Sequence, residues 1–123
     1  MTTELKKITQ EELKEVLRLH ESWLRVQNDG VKADLSYTDL SGMDLTGVDL
    51  SGANLSDANL SDANLSDAIL TDANLSDANL SDANLSDANL SYANLVGTNL
   101  TYAILTDSDL TDAILTGVRW RDR

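Results

Sequence analysis

From Ala33 onward the apolar residues follow a period of five. Leu recurs at every fifth position from Leu35 to Leu115, and Trp120 takes the same place at the end. Two residues before each Leu stands a small or modest side chain. It is usually Ala, with Thr38, Met43, Val48, Thr98, Ser108 and Val118 as exceptions. Counted from Ala33 to Asp122, this makes eighteen units, since 90/5 = 18. The idealised unit is Ala-Asn-Leu-Ser-Asp, slots one to five, and six copies match it fully, starting at Ala53, Ala58, Ala63, Ala73, Ala78 and Ala83.

A five-residue period fits no simple element. In an α-helix five residues advance about 500°, so each Leu drifts about 140° from the last and no apolar face forms. In a flat strand an odd period sends alternate Leu to opposite faces. Asn, Asp and Ser also compete for the backbone in helix interiors. The pattern requires a chain that bends once per unit, with each Leu pointing to the axis of a coil and the slot-one residues also inward. Low-complexity disorder would suit the acidic, repetitive composition, but two apolar residues at a fixed offset in most units argue for order.

The first segment has a different period and predicts a helix from about Gln10 to Asn28. Thr9 with Glu12 forms a capping box, Ile8 can staple to Leu13, and Gly30 supplies a stop. Leu13, Val16, Leu17, His20 and Leu24 share one face, flanked by Leu19 and Trp23. An open coil end exposes backbone donors, acceptors and an apolar axis. The helix is expected to lie across that end, because repeat arrays need capping units for solubility.

Charge separates the two segments. Residues 1–32 carry six acids and six bases, whereas residues 33–123 carry fifteen Asp and three Arg, so the net charge of −12 arises wholly in the repeats. Such a surface repels nucleic acid and favours a protein partner with a basic surface. There is no Cys, hence no disulfide or thiolate metal site. The start lacks the apolar core of a signal peptide and no run is long enough to span a membrane; a cytoplasmic protein with no membrane association is expected.

Catalytic chemistry has little to draw on. His20 is the single His and reads as a partly buried, satisfied side chain. The Ser and Thr residues recur in one outward slot with no positioned base, and no Gly-rich phosphate loop appears. The chain reads as a non-enzyme without a cofactor.

The repeats resemble the pentapeptide-repeat family, whose motif is a small residue, Asn or Asp, Leu, a polar residue, then any residue. The resemblance covers residues 33–122. It implies an all-β solenoid: a right-handed quadrilateral β-helix with four units per coil and about four and a half coils. The N-terminal α-helical cap would be residues 1–32, and the β-helix residues 33–122. With four units per coil, Asn54, Asn74 and Asn94 would stack, as would Asn59, Asn79 and Asn99, and stacked amides can form ladders.

The same register stacks Asp57 with Asp77, Asp62 with Asp82, and Asp67 with Asp87 and Asp107. These seven form the candidate acidic interaction surface, with solvated carboxylates favoured over cation binding. Tyr37, Tyr92 and Tyr102 are expected to be isolated surface residues, and Ile69, Ile104, Ile114 and Val96 hint at contacts. Trp120, Arg119 and Arg121 are candidates for an end-to-end contact, making the chain a monomer or an end-to-end homodimer.

Two functions compete. The first is a non-enzymatic structural or interaction scaffold. The identical central units suggest a consensus array grafted onto natural ends, and recent gene duplication would look the same. The second is implied by the resemblance: some members of the family bind DNA gyrase or topoisomerase IV as acidic DNA mimics and confer quinolone resistance. Against it stand the missing C-terminal helix and loop, and the absence of Phe.

Overall fold

The structure, a computed structural model, describes residues 4–123. Met1–Thr3, the start of the expected cap, lie outside the described residues. The backbone pairs with itself at an offset of twenty. Parallel bridges join Asp34 to Asn54, Asn54 to Asn74, Asn74 to Asn94, and Asn94 to Ile114, and the other three sides repeat the offset. Four five-residue units therefore complete one turn of a β-helical solenoid.

Each rung uses the same bonds. The Leu35 N–H donates to Asn54 O at 2.7 Å, and the Asn54 N–H returns to Ala33 O at 3.0 Å. A turn follows every Leu, as when the Ala58 N–H donates to Leu55 O at 3.2 Å, which keeps most pairings to single residues. The strands Asn99–Thr101 (β1) and Arg119–Arg121 (β2) are longer, and they pair in parallel with Leu100 opposite Trp120.

The core is the inward column the period requires. Leu35 to Leu100, at every fifth residue, are buried, as are Ala33 and most later slot-one Ala. Full burial of a Leu contributes roughly 1.5–3 kcal/mol. The expectation that all seventeen Leu are buried needs correcting at one end. Leu105 and Leu110 are half-buried and Leu115 is exposed, because no further coil stacks on them among the described residues. Thr98 tolerates slot one because its Oγ1 donates to Leu75 O at 2.7 Å, satisfying a buried hydroxyl.

Helix α1 spans Gln10–Leu24. The predicted start is right: Thr9 Oγ1 accepts from the Glu12 N–H at 3.0 Å and Glu12 Oε1 accepts from the Thr9 N–H at 3.0 Å. The predicted end is not. The helix stops at Leu24 because Val26 turns left-handed, at φ 56°. Its N–H donates to Trp23 O and that of Gln27 to Ser22 O, both at 3.0 Å, the paired bonds of a Schellman motif. Gly30 has another task. A Cβ there would lie 2.4 Å from the Trp23 backbone nitrogen, so glycine lets the returning chain touch the helix.

The helix packs on the N-terminal coil. Leu13 is buried in the core, with Ile8, Val16 and Leu17 half-buried against it. Ahead of the helix, Lys6 adds a parallel rung: its N–H donates to Tyr37 O at 2.7 Å and its C=O accepts from the Asp39 N–H at 2.9 Å. Lys7 then pairs with the Asp39 carboxylate at 3.6 Å.

Candidate interaction surfaces

Slot five sets the outer surface, and the backbone dictates its residues. From Tyr37 to Gly117 every slot-five residue has positive φ, between 54° and 74°. That is the third position of a type II-like turn, which Gly occupies freely and Asp or Asn tolerates best among the others. Asp57, Asp62, Asp67, Asp77, Asp82, Asp87 and Asp107 all sit there, and so do Asp72 and Asp112, beyond the seven expected from the stacking register. The overlooked signal was the sharing of one slot by Asp and by Gly42, Gly47, Gly52, Gly97 and Gly117.

The expected columns form. The Asp57 N–H donates to Ser76 O, one residue from Asp77, and the Asp67 and Asp87 N–H groups donate to Ser86 O and Thr106 O at 3.0 and 2.9 Å. Neighbouring carboxylates in a column are thus about 4.8 Å apart in backbone spacing. Among the described residues no group of three or more His, Cys, Asp or Glu is arranged to hold a metal ion.

Slot two behaves differently. Each slot-two Asn or Asp accepts through Oδ1 from the N–H two residues on. Asn54 accepts from Ser56, Asn74 from Ser76 and Asn94 from Val96, all at 3.0 Å. These are Asx-turns, and they replace the amide ladders expected for the Asn columns. Where slot two is Asp, a hydroxyl adds a second bond, as from Ser36 to Asp34 at 2.6 Å and from Thr111 to Asp109 at 2.5 Å. These hydroxyl and N–H bonds hold the Asp34, Asp39, Asp44 and Asp109 carboxyls below the usual carboxylate range.

The aromatic and apolar exceptions do not make one patch. Tyr92 and Tyr102 are two units apart, on opposite sides. Ile69, Ile104 and Ile114 lie in three different columns. Tyr102 is not isolated: the Arg123 guanidinium lies 5.0 Å from its ring centre and pairs with Asp82. At the C-terminal end Trp120 is 48% exposed and Arg119 and Arg121 are exposed. Trp120 joins Tyr102, Ile104 and Leu105 around a shallow cavity of about 350 Å³.

His20 is fully buried, more than expected. Its Nδ1 accepts from the Ala33 N–H at 2.9 Å, and Nε2 lies 2.9 Å from Ser51 O. An N–H donor on Nδ1 and a carbonyl on Nε2 fix the neutral, Nε2-protonated ring. Burial pushes its pKa below the usual value, against the Ser51 bond.

A family model for pentapeptide repeats, in eight copies, matches residues 31–52, 49–87 and 78–117. The chain belongs to the pentapeptide-repeat family. Its fold is therefore the family's right-handed β-helix. It is similar to the pentapeptide repeat protein Rfr23 from the cyanobacterium Cyanothece 51142, at 41% identity and TM-score 0.71, covering 73% of this chain and 62% of that one. It is also similar to HetL from Nostoc sp. strain PCC 7120, described as involved in heterocyst differentiation regulation, at 43% identity and TM-score 0.51, covering 71% of this chain and 44% of that one. The chain thus spans less than two thirds of either relative. No curated protein sequence matches it.

Proposed function

We propose that this pentapeptide-repeat chain is a non-enzymatic interaction scaffold. Residues 1–32 act as its helical cap, and residues 33–122 form one continuous β-helix of about four and a half coils. One observation carries the reading: the repeated polar residues are committed to the backbone. Slot-two Asn and Asp close Asx-turns, and slot-five Asp occupy left-handed turns. His20, the single His, has both nitrogens bonded. Among the described residues no three His, Cys, Asp or Glu are arranged to hold a metal ion.

What the rod offers a partner is a stiff, acidic surface. The slot-five columns, including Asp57, Asp62, Asp67, Asp77, Asp82, Asp87 and Asp107, suit a basic protein surface. The exposed coil end around Trp120, Arg119 and Arg121 suits a second copy placed end to end. Light scattering tests the latter: a mass near twice 13.3 kDa that falls to one copy in Trp120→Asp supports it, and a single-copy mass at all concentrations refutes it.

DNA mimicry toward gyrase or topoisomerase IV would use the same charge. It has less support, because the turn geometry accounts for the slot-five Asp without a partner. A supercoiling assay separates the two: salt-sensitive inhibition, lost on replacing Asp67, Asp87 and Asp107 by Asn, favours mimicry, and no inhibition favours the scaffold.

A further inference from the structure

Three corners of the N-terminal coil share one backbone form, at Tyr37–Asp39, Gly42–Asp44 and Gly47–Asp49, and among the described residues only the first has a backbone partner on its outer side. At Tyr37–Thr38–Asp39 the chain's own Lys6 supplies a rung, giving its N–H to Tyr37 O and taking the Asp39 N–H. Lys7 then meets the Asp39 carboxylate. Ten residues on, Gly47–Val48–Asp49 repeat this backbone on the opposite side of the coil. Among the described residues, Gly47 O and the Asp49 N–H have no partner. Unpaired edge groups of this kind are templates for an added strand.

The open corner at Gly47–Asp49 is also the floor of a groove. Gly47, Val48 and Asp49 line about 430 Å³ together with Leu17, Leu24 and the Glu21–Arg25 pair of the helix side. Val48 and Leu17 are half-buried and give an apolar wall. Asp49 is exposed, and its Oδ1 is held by Ser51 at 2.5 Å, which fixes the direction of the carboxylate.

We propose that this groove binds an extended peptide segment of a partner protein, laid parallel to Val48 and carrying a lysine or arginine just after the pairing residue. The segment's N–H would bond Gly47 O, its C=O would take the Asp49 N–H, and the following base would face the Asp49 carboxylate. The chain's own Leu5–Ile8 segment shows this chemistry on the opposite corner. Charge complementarity selects a basic over an acidic segment. The inference rests on the scaffold reading and names one ligand class for it. Failure here would leave the end-to-end contact and the acidic columns untouched, since those are read by scattering and by the supercoiling assay.

The test is a titration of the full chain with the peptide acetyl-Leu-Lys-Lys-Ile-amide, followed by amide NMR. The expected result is saturable movement of the Gly47, Val48 and Asp49 amides, with slowed hydrogen exchange at Asp49. Asp49→Asn keeps the Asx-turn that Asn makes elsewhere. It should weaken binding about two- to fivefold, the size of an exposed ion pair. The acidic analogue acetyl-Leu-Glu-Glu-Ile-amide should not bind. The proposal is overturned if nothing moves up to millimolar peptide. It is equally overturned if the shifts fall at Tyr37–Asp39, where the peptide would be displacing Lys6, or are spread along the slot-five columns.

Discussion

The Nδ1 of His20 accepts the N–H of Ala33 at 2.9 Å, so a helix side chain completes the backbone of the first coil. In the coils above, slot-one N–H groups donate to the preceding Leu carbonyl. Ala33 has no preceding unit, and His20 takes that role while Nε2 binds Ser51 O.

His20→Ala should therefore destabilise the chain by about 2–5 kcal/mol, since it leaves a buried donor and acceptor unpaired and opens a cavity. Thermal denaturation monitored by circular dichroism checks this. A loss under 1 kcal/mol would mean water replaces the ring.

The same pair sets a pH dependence. A protonated Nδ1 would point a donor at the Ala33 N–H, and burial already lowers the His20 pKa. The folded state then binds fewer protons than the unfolded one, so stability rises with pH through this window. It is complete above the unfolded value near ~6.5 and is lost as pH falls toward the lower folded value. A second loss is expected below about pH 4, where Asp34, Asp39, Asp44 and Asp109, all lowered by Ser or Thr hydroxyl bonds, take up protons. Denaturant titrations from pH 8 to pH 3 should show both steps in the wild type. Only the lower step should remain in a folded His20 variant.

Val26→Gly should raise stability by about 0.5–1 kcal/mol. Val26 is 91% exposed at φ 56°, and left-handed backbone costs an L-residue roughly 1–2 kcal/mol, partly offset by the entropy glycine loses. Gly30→Ala should act in the opposite direction, because its Cβ would collide with the Trp23 backbone. Melting temperatures of the two variants give the signs directly.

Those two residues also mark how far the sequence could be read. The capping box at Thr9 and Glu12 is local chemistry and was legible. The helix end was not legible, because glycine is the usual left-handed residue and points to Gly30, whereas a β-branched Val26 in that conformation runs against propensity. The Leu column was legible because it is periodic. The slot-five turn is encoded in the sharing of one slot by Asp and Gly, although the Asp read first as surface charge. The partners of His20 and the corner at Gly47–Asp49 were not legible, since they depend on where the helix crosses the coil.

Slot five should separate charge from conformation. Asp67→Asn keeps a residue that tolerates positive φ and removes a like charge from the column with Asp87, where repulsion at ~5 Å in water is roughly 0.8 kcal/mol. Stability should be unchanged or slightly higher. Asp67→Val should cost about 1–2 kcal/mol. Equal melting temperatures for the two would show that the turn does not need its left-handed residue.

Leu75→Asp tests most directly whether the fifth-residue leucines face the axis. Leu75 is fully buried in the middle of the rod, and an unpaired carboxylate there costs several kcal/mol. Circular dichroism and a thermal melt should show a lost or split transition. A spectrum and midpoint matching the wild type would contradict the inward leucine column.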